Sequence, residues 1–227
     1  MTRFYLLLLL VAVVAGVLMW KGSRGGSQDA AATPAGATVV VTAADSAFKG
    51  YVLGAETAPV EVVEYADFQC PHCGEFANVQ FPTIKEQLIN TGRLRWRFRE
   101  YPLPIFQWSR VSALAAQCAG EQGKFWEMEE AIFQRQSDWG TSRKNPSAAF
   151  RDLAHGAGVD VDKYDACMDS QRYAGRIEAS YQEGAARGVT GTPTFFVNGR
   201  ELDNRRFGNS DAFKSLVDSL TAGKGRH

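Results

Sequence analysis

The chain carries no excess of either charge. Its 227 residues include 25 lysines and arginines against 25 aspartates and glutamates, so the formal net charge at pH 7 is +0. A chain without a charge excess has no strong electrostatic attraction to nucleic acids or other polyanions. Its 45% hydrophobic content indicates a globular protein with a sizeable core. We therefore expect no nucleic-acid partner.

One basic stretch lies in the middle of the chain. Arg93 to Arg99 alternates arginines with Leu94, Trp96 and Phe98. Interleaved basic and aromatic residues can form a platform for single-stranded nucleic acid. The two-residue period is more typical of a strand whose three apolar side chains face inward, which is the interpretation we favour.

Metal ligands are scarce as well. The chain has three histidines and four cysteines, and His155 and His227 stand alone in the sequence. A zinc site built from all four cysteines would need a second closely spaced pair, which Cys118 and Cys167 do not provide. We therefore expect no metal ion. The serines, histidines and aspartates likewise follow no spacing that supports a hydrolytic triad.

A long apolar run lies at the N-terminus. Phe4 to Trp20 contains no charged residue and is close to the shortest length that spans a bilayer. A cleaved signal peptide would have a shorter apolar region with a small-residue cleavage site close behind it, whereas Ala30-Ala31-Ala32 lies well downstream. We favour an uncleaved membrane anchor over residues 1–21, followed by a flexible linker over residues 22–37. Cleaved or not, such a segment places the rest outside the cytoplasm, in the periplasm or cell envelope, where disulfides persist.

The sequence pattern then changes from strand to helix. A short first strand is predicted over Ala37 to Thr42, and the mostly apolar Pro59 to Tyr65 predicts a buried strand. From Pro71 to Ile89 apolar residues recur mostly at three- and four-residue intervals. This spacing predicts a helix, with a kink at Pro82 because proline lacks the N–H that a helix interior needs.

Two cysteines lie at this transition, in the motif Cys70-Pro71-His72-Cys73. Their spacing lets the thiols close a disulfide, although it also supplies half of many zinc sites. A helix start presents unpaired N–H groups and the positive end of the macrodipole, which would stabilise Cys70 as a thiolate, the reactive form. Pro71 suits the first helical position. His72 adds an imidazole that can give a hydrogen bond or a positive charge to the same sulfur.

A stabilised thiolate has a consequence for the direction of the chemistry. It favours the reduced pair and so makes the disulfide a stronger oxidant. We expect a substrate thiolate to attack Cys70, Cys73 to depart and a second substrate thiol to resolve the mixed disulfide. The redox group would be the Cys70–Cys73 disulfide itself, with no other cofactor.

A second informative segment begins at Thr192-Pro193, before the apolar residues 194–197. Proline at a strand start often marks only an edge or a turn. Together with the cysteine motif it suggests another possibility, a cis Thr192–Pro193 bond packed against the disulfide. The backbone of Thr192 would then be free to pair with an extended substrate.

Three segments together resemble the DsbA-like thiol-disulfide oxidoreductases of the thioredoxin-like superfamily: Glu64 to Cys73, Gly123 to Trp126 and Gly191 to Phe195. The resemblance covers residues 45–221 and implies an α/β fold, namely a thioredoxin fold with an inserted α-helical domain. It divides the chain into residues 38–107 and 189–221 for the two parts of the thioredoxin fold, 108–188 for the insertion and 222–227 for a tail.

The resemblance also implies partners. These are reduced secreted or membrane proteins as clients, and a quinone-linked membrane protein of the DsbB or vitamin K epoxide reductase type as reoxidant. Two other functions stay open. One is a disulfide isomerase or reductase with the same cysteines, and the other is a non-catalytic, membrane-tethered binding module whose Cys70–Cys73 bond is merely structural.

The insertion has several helical periods, over residues 111–119, 125–134, 148–155, 161–168 and 174–186. Cys118 and Cys167 fall on two of them. With Cys70 and Cys73 paired in an oxidising compartment, each has only the other as a partner, so we expect a structural disulfide. Two buried free thiols are the alternative.

Glu64 is an acid in an otherwise apolar strand just before the cysteine motif. If that strand is central, the carboxyl is buried and its pKa is raised, so that it can move protons to or from Cys73 during exchange. The resembling family has an acid at this offset. The alternative is an exposed position at a strand end.

Overall fold

The computed structural model describes residues 39–203 and 209–222. The predicted anchor over residues 1–21, the predicted linker over 22–37 and residues 223–227 of the predicted tail lie outside this part of the chain. Within the two described ranges, none of the helices combines the length and apolar character needed to cross a bilayer.

A five-stranded mixed sheet forms the centre of the fold. The strands are β1 (Tyr51–Leu53), β2 (Val60–Ala66), β3 (Leu94–Glu100), β4 (Thr194–Val197) and β5 (Arg200–Glu201), in the order β1-β3-β2-β4-β5. The pair β2 and β3 is parallel, and the other pairs are antiparallel. Because β2 lies in the middle of the sheet, its carboxyl end is buried between neighbours on both sides.

Helices surround this sheet and fill the connection between β3 and β4. The shorter ones are α1 (Ala43–Ala47), α2 (Pro71–Glu75), α3 (Phe81–Ile84) and α6 (Gln136–Trp139), and the longer ones are α4 (Ser109–Gly120), α5 (Phe125–Gln134), α7 (Ser147–Gly156), α8 (Val161–Asp169), α9 (Ala174–Ala186) and α10 (Ser210–Ala222). The run from α4 to α9 is the inserted helical domain. The predicted fold class is confirmed, and each of the five helical periods expected in the insertion is a helix; α6 was not predicted.

The basic stretch is a strand, as predicted. Leu94, Trp96 and Phe98 are each 0% exposed in β3. On the opposite face, Arg95 and Arg97 both form ion pairs with Glu61, at 3.0 and 2.6 Å. Both guanidinium groups are therefore engaged by one carboxylate of the neighbouring strand, which reduces the positive charge that this face offers to a nucleic acid.

The predicted first strand over Ala37 to Thr42 is wrong. Its described residues, 39–42, are not a strand, because Thr42 instead caps α1. The Asp45 backbone N–H donates to Thr42 Oγ1 at 3.2 Å, and the Thr42 backbone N–H donates to the Asp45 carboxylate at 2.9 Å. This reciprocal capping box starts a helix and fixes the backbone before the sheet begins.

The predicted helix over residues 71–89 is present but irregular. Two π-helical segments, Phe76–Gln80 and Lys85–Ile89, alternate with α2 and α3. Pro82 has no N–H to give to the carbonyl of Asn78, and the turn before it widens so that the Phe81 N–H bonds to the Phe76 carbonyl. The irregularity expected at Pro82 therefore takes the form of a widened turn.

The two largest apolar clusters of the described residues pack on the sheet. One is centred on Trp96, whose ring lies 5.8 Å from that of Phe76, 5.7 Å from that of Phe195 and 5.6 Å from that of Phe213. The other joins the sheet to the inserted helices and includes Cys73, which is 0% exposed. The cysteine helix is thus packed between the sheet and the insertion.

A disulfide links two helices of the insertion. Cys118 of α4 and Cys167 of α8 are bonded at 2.06 Å across a sequence separation of 49, and both are fully buried. This is the pairing expected from the sequence rather than two free thiols. Since the bond uses both sulfurs, the four-cysteine zinc site is excluded.

Removal of this bond should destabilise the fold. We expect the Cys118→Ala/Cys167→Ala variant to lose about 2–4 kcal/mol of unfolding free energy, because the unfolded chain is then freed from a long closed loop. Urea unfolding followed by circular dichroism measures the change. Reduction of the wild-type protein before unfolding should reproduce most of this loss of stability. Equal urea midpoints for the variant and the oxidised wild type would contradict the expectation.

Candidate active site

Both cysteines of the motif sit where β2 leads into α2. Cys70 is the N-cap residue, with an extended backbone (φ −70°, ψ 122°), and Pro71 takes the first helical position. The Gly74 N–H donates to the Cys70 carbonyl at 3.1 Å, which closes the first helical turn. Both thiols are free, and Cys70 is 4% exposed against 0% for Cys73. The helix therefore starts at the more accessible sulfur and buries the other.

The environment of Cys70 favours its thiolate. Its pKa is lowered from 9.0 to about 5, chiefly because the Cys73 thiol donates a hydrogen bond to it. The Thr192 side chain and the backbone N–H groups of Cys73 and His72 add to this effect, while burial opposes it. Donors at a helix start thus outweigh the desolvation of the charge.

Cys73 behaves in the opposite way. Burial raises the pKa of its thiol well above the ordinary value, and the hydrogen bond and charge of Cys70 raise it further. A donor must keep its proton, so the bond that stabilises the Cys70 thiolate also holds Cys73 neutral. The site therefore separates an ionised thiol from a protonated one within a single helical turn.

His72 carries its imidazole at the surface. Its side chain is 82% exposed, with Nδ1 3.9 Å from Glu75 Oε2. The group of His72 that acts on the Cys70 sulfur is its backbone N–H. Tuning by the imidazole itself stays a prediction.

The Thr192–Pro193 segment lies against Cys70. The peptide bond is cis, and the Cys70 sulfur lies 3.4 Å from the Thr192 carbonyl oxygen, to which it donates only while it is the neutral thiol. Antiparallel pairing of β4 with β2, which sets Tyr65 opposite Thr194, brings this segment to the cysteines. Beside it is an open cavity of about 360 Å³, lined by residues 190–194 and 201–203.

Glu64 is buried below the cysteines, at 4% exposure, so the exposed alternative is wrong. The indole N–H of Trp96 donates to Glu64 Oε2 at 2.9 Å. Burial raises the pKa of Glu64 to about 7, although this hydrogen bond lowers it. The charge of Glu64 in turn raises the pKa of Cys73, which places the two groups in one electrostatic environment.

Asp67 is a part of the site that the sequence analysis missed. It is 2% exposed, and its carboxylate accepts hydrogen bonds from the Gln69 and Leu103 backbone N–H groups and from the Ser109 hydroxyl, at 2.7–2.8 Å. Burial raises its pKa to about 6. An aspartate after a strand is typical of a turn, and nothing in its sequence position indicates that it ties the cysteine loop to the insertion.

Two further missed residues come from α5 and α6. Gln136 Nε2 donates to the carbonyls of Phe68 and Cys70, at 2.7 and 2.9 Å. Glu129 is 5% exposed, and its pKa is raised well above the ordinary value, mainly by burial and then by the charge of Glu64. Neither residue lies near the cysteine motif in sequence.

The predicted residues are thus largely brought together. Cys70, Pro71, Cys73 and the cis Thr192–Pro193 bond meet at the surface end of α2, and Glu64 lies beneath them. Cys118 and Cys167 are bonded to each other within the insertion instead.

Comparison with known proteins gives relatives of several kinds. The Na(+)/H(+) antiporter NhaA 3 of Salinispora tropica is 37% identical over 153 residues, 67% of this chain but only 22% of that protein. The chain likewise covers 25% of the antiporter NhaA 1 of Salinispora arenicola. Disulfide bond formation protein D of Bacillus subtilis is 28% identical over 176 residues, 76% of this chain and 78% of that protein.

The fold has solved counterparts. The crystal structure of oxidised BdbD from Bacillus subtilis superimposes with a TM-score of 0.67 at 27% identity, covering 74% of this chain and 91% of that one. A family model described as thioredoxin matches residues 46–219, which include the cysteine motif and the cis-proline segment. The chain therefore belongs to the thioredoxin family, and its relatives include DsbA-like disulfide oxidoreductases.

Proposed function

We propose that this chain is a thiol-disulfide oxidoreductase that donates the Cys70–Cys73 disulfide to reduced client proteins. The observation that carries the proposal is the opposite ionisation of the two thiols, with the pKa of Cys70 lowered to about 5 and that of Cys73 raised. A thiolate stabilised in the reduced protein makes the disulfide form more oxidising. A non-catalytic module would have no need of a low-pKa sulfur.

The exchange begins on the disulfide form. A client thiolate attacks Cys70 Sγ, the bond between the two sulfurs breaks, and its electron pair passes to Cys73. A second client thiolate then attacks the client sulfur of the mixed disulfide, and Cys70 leaves as a thiolate. Two electrons pass from the client to the protein, which ends as the dithiol. The stabilised thiolate of Cys70 makes this last departure fast.

The first step leaves a negative charge on a buried sulfur. Cys73 therefore has to acquire a proton as the bond breaks, and it is too deeply buried to take it directly from bulk water. We propose that Glu64 supplies this proton, since its carboxyl shares the environment of Cys73 and its pKa of about 7 allows both protonation states near neutral pH.

The segment around the cis bond is the proposed client site. The Thr192 backbone lies beside the reactive sulfur and borders the open cavity. An extended client segment can pair with this backbone and so present its cysteine to Cys70.

We further propose an extracytoplasmic location for the catalytic part, tethered by an uncleaved N-terminal helix over residues 1–21. The apolar run Phe4 to Trp20 supports the tether, and the disulfide of the insertion fits an oxidising compartment. The clients would be reduced secreted or membrane proteins. A membrane protein of the DsbB or vitamin K epoxide reductase type would reoxidise the dithiol, with no cofactor on this chain.

The function is tested with a reduced, unfolded secretory protein as client. The oxidised protein should introduce disulfides into it stoichiometrically, and Cys70→Ser should not. In Cys73→Ala the single Cys70 thiolate should attack a disulfide of an oxidised client, release one client thiolate and accumulate as a mixed disulfide, because no second thiol is present to resolve it. A reduction potential near the roughly −270 mV of thioredoxin would exclude the oxidase function in favour of a reductase. A dithiol unable to exchange at all would exclude the enzyme.

The ionisation of Cys70 should govern its pH dependence. Alkylation of the dithiol protein by iodoacetamide should reach half its maximal rate near pH 5, and Cys73→Ala should move this midpoint upward because the main donor is lost. The folded pKa lies below the unfolded one, so the dithiol form gains stability relative to the disulfide form as pH rises from about 5 to about 9. The unfolding free energies of the dithiol and disulfide forms, measured across this pH range, test the expectation. A difference between the two free energies that does not change with pH would contradict it.

The Glu64→Gln substitution should change both the pH dependence of stability and the pH dependence of the exchange rate. The raised pKa of Glu64 means that the protonated carboxyl is preferred in the fold, so the wild type loses stability as pH rises through about 7 while the variant does not. The variant should gain up to about 3 kcal/mol of relative stability at pH 9 compared with pH 4. Its exchange rate should lose the inflection near pH 7. An unchanged rate profile would rule out the proton-transfer role.

A further inference from the structure

Two glutamine side chains tie the cysteine loop to the inserted domain. Gln136, at the start of α6, donates through Nε2 to the carbonyls of Phe68 and Cys70, at 2.7 and 2.9 Å. Gln69 donates through Nε2 to the Gly140 carbonyl at 2.7 Å and accepts from the Trp108 N–H at 2.6 Å. The loop that carries the reactive sulfur is therefore held from outside the thioredoxin part of the fold.

Gly74 leaves the space that Gln136 occupies. A Cβ at position 74 would lie 2.4 Å from Gln136 Oε1, well inside any normal contact. Glycine within a helix is usually unfavourable relative to alanine, and the backbone of Gly74 needs no left-handed conformation here. The missing side chain is thus explained by the amide that packs against it.

Gln136 is itself placed by the core of the insertion. Trp139, in the same short helix, is 2% exposed, its ring centroid lies 4.9 Å from that of Phe150, and its indole N–H donates to the Ile132 carbonyl at 3.1 Å. The Gly140 N–H donates to the Gln136 carbonyl at 2.7 Å. The backbone from which the Gln136 side chain projects is therefore anchored to the core of the insertion.

We propose that Gln136 is a positioning residue through which the inserted helical domain holds Cys70 in its reactive turn. The role rests on the proposed function and deepens it. The Cys70 carbonyl accepts both the Gly74 N–H and the Gln136 amide, so Gln136 fixes the peptide plane that sets how the backbone N–H groups of residues 72 and 73 face the sulfur. The amide also offsets the negative partial charge of a carbonyl in the residue that carries the thiolate.

The test compares Gln136→Met with a matched control, Gln134→Met. Methionine keeps the length of the side chain but removes both donors. Gln134 lies at the end of α5 and is exposed, and among the described residues its side chain bonds only Glu130, at 2.9 Å, so its loss leaves the cysteine loop untouched. The pKa of Cys70 is followed on the dithiol protein by thiolate absorbance at 240 nm, and the reduction potential is measured against glutathione.

We expect Gln136→Met to raise the pKa of Cys70 by at least about one unit, a tenfold fall in its ionisation constant. Its potential should shift toward the reducing side, and the control should match wild type. Equal Cys70 pKa values in the two variants, with only stability lowered in Gln136→Met, would reduce Gln136 to a structural residue and overturn the proposal.

Variants of Gly74 test the same proposal if Gln136→Met does not fold. Gly74→Ala keeps Gln136 but displaces its amide, so it should raise the pKa of Cys70 in the same direction. The double variant Gly74→Ala/Gln136→Ala should have the same Cys70 pKa as Gly74→Ala, because the alanine at position 74 has already displaced the Gln136 amide. An unchanged Cys70 pKa in Gly74→Ala would overturn the proposal. If the wild type failed to oxidise a client, the proposed function would be excluded, but the positioning role of Gln136 would not. The Cys70 pKa values of these variants are measured without any client.

Discussion

The hydrogen bond from the Cys73 thiol to the Cys70 sulfur is the interaction on which the rest of the site depends. It is the largest single cause of the low pKa of Cys70 and the main cause, after burial, of the high pKa of Cys73. The proton that lies between the two sulfurs stays on Cys73, and for this reason Cys70 is the sulfur that reacts. Neither sulfur would have this character alone.

The fold makes that proton stay on Cys73. A helix that starts at Cys70 exposes the sulfur to unpaired N–H groups, and the next turn carries Cys73 into the cluster between the sheet and the insertion. Burial penalises charge on Cys73 more than on Cys70, so the two positions are inequivalent before any partner binds. The central position of β2 is what allows such a burial gradient along only one turn of helix.

The sequence predicted the local parts of this arrangement well. The alternation in β3, the helical periods of the insertion and the strand-to-helix transition at Cys70 are set by neighbours in the chain, so their patterns are readable. The first strand was predicted wrongly because the capping box of Thr42 and Asp45 was overlooked. The π-helical segment Phe76–Gln80 depends on how the backbone accommodates Pro82, and periodicity alone specifies neither this segment nor Lys85–Ile89.

The long-range parts could not be predicted in the same way. Gln136 and Glu129 reach the site only because α5 and α6 pack against the cysteine helix, and the number of residues between them and the motif carries no information about that contact. Asp67 is adjacent to the motif, yet its role comes from donors that lie far along the chain at Leu103 and Ser109. Glu64 could be predicted as a candidate because it is an acid in a mostly apolar strand just before the cysteine motif. Glu61 lies in the same strand but is only partly buried and pairs with Arg95 and Arg97.

The buried carboxyls explain why the site can carry one negative charge but resists a second. Glu64 and Glu129 are both buried, and each group that ionises makes ionisation of the next harder: the charge of Glu64 raises the pKa of Glu129 and of Cys73. Of the two thiols, Cys70 has several donors directed at it, so it is the one that ionises first. When a client attack delivers charge to Cys73, the Asp67 backbone N–H stabilises that charge only in part, and the proton proposed to come from Glu64 would neutralise it. The same low-dielectric surroundings that keep Cys73 neutral at rest therefore keep a protonated carboxyl at hand for the moment its disulfide breaks.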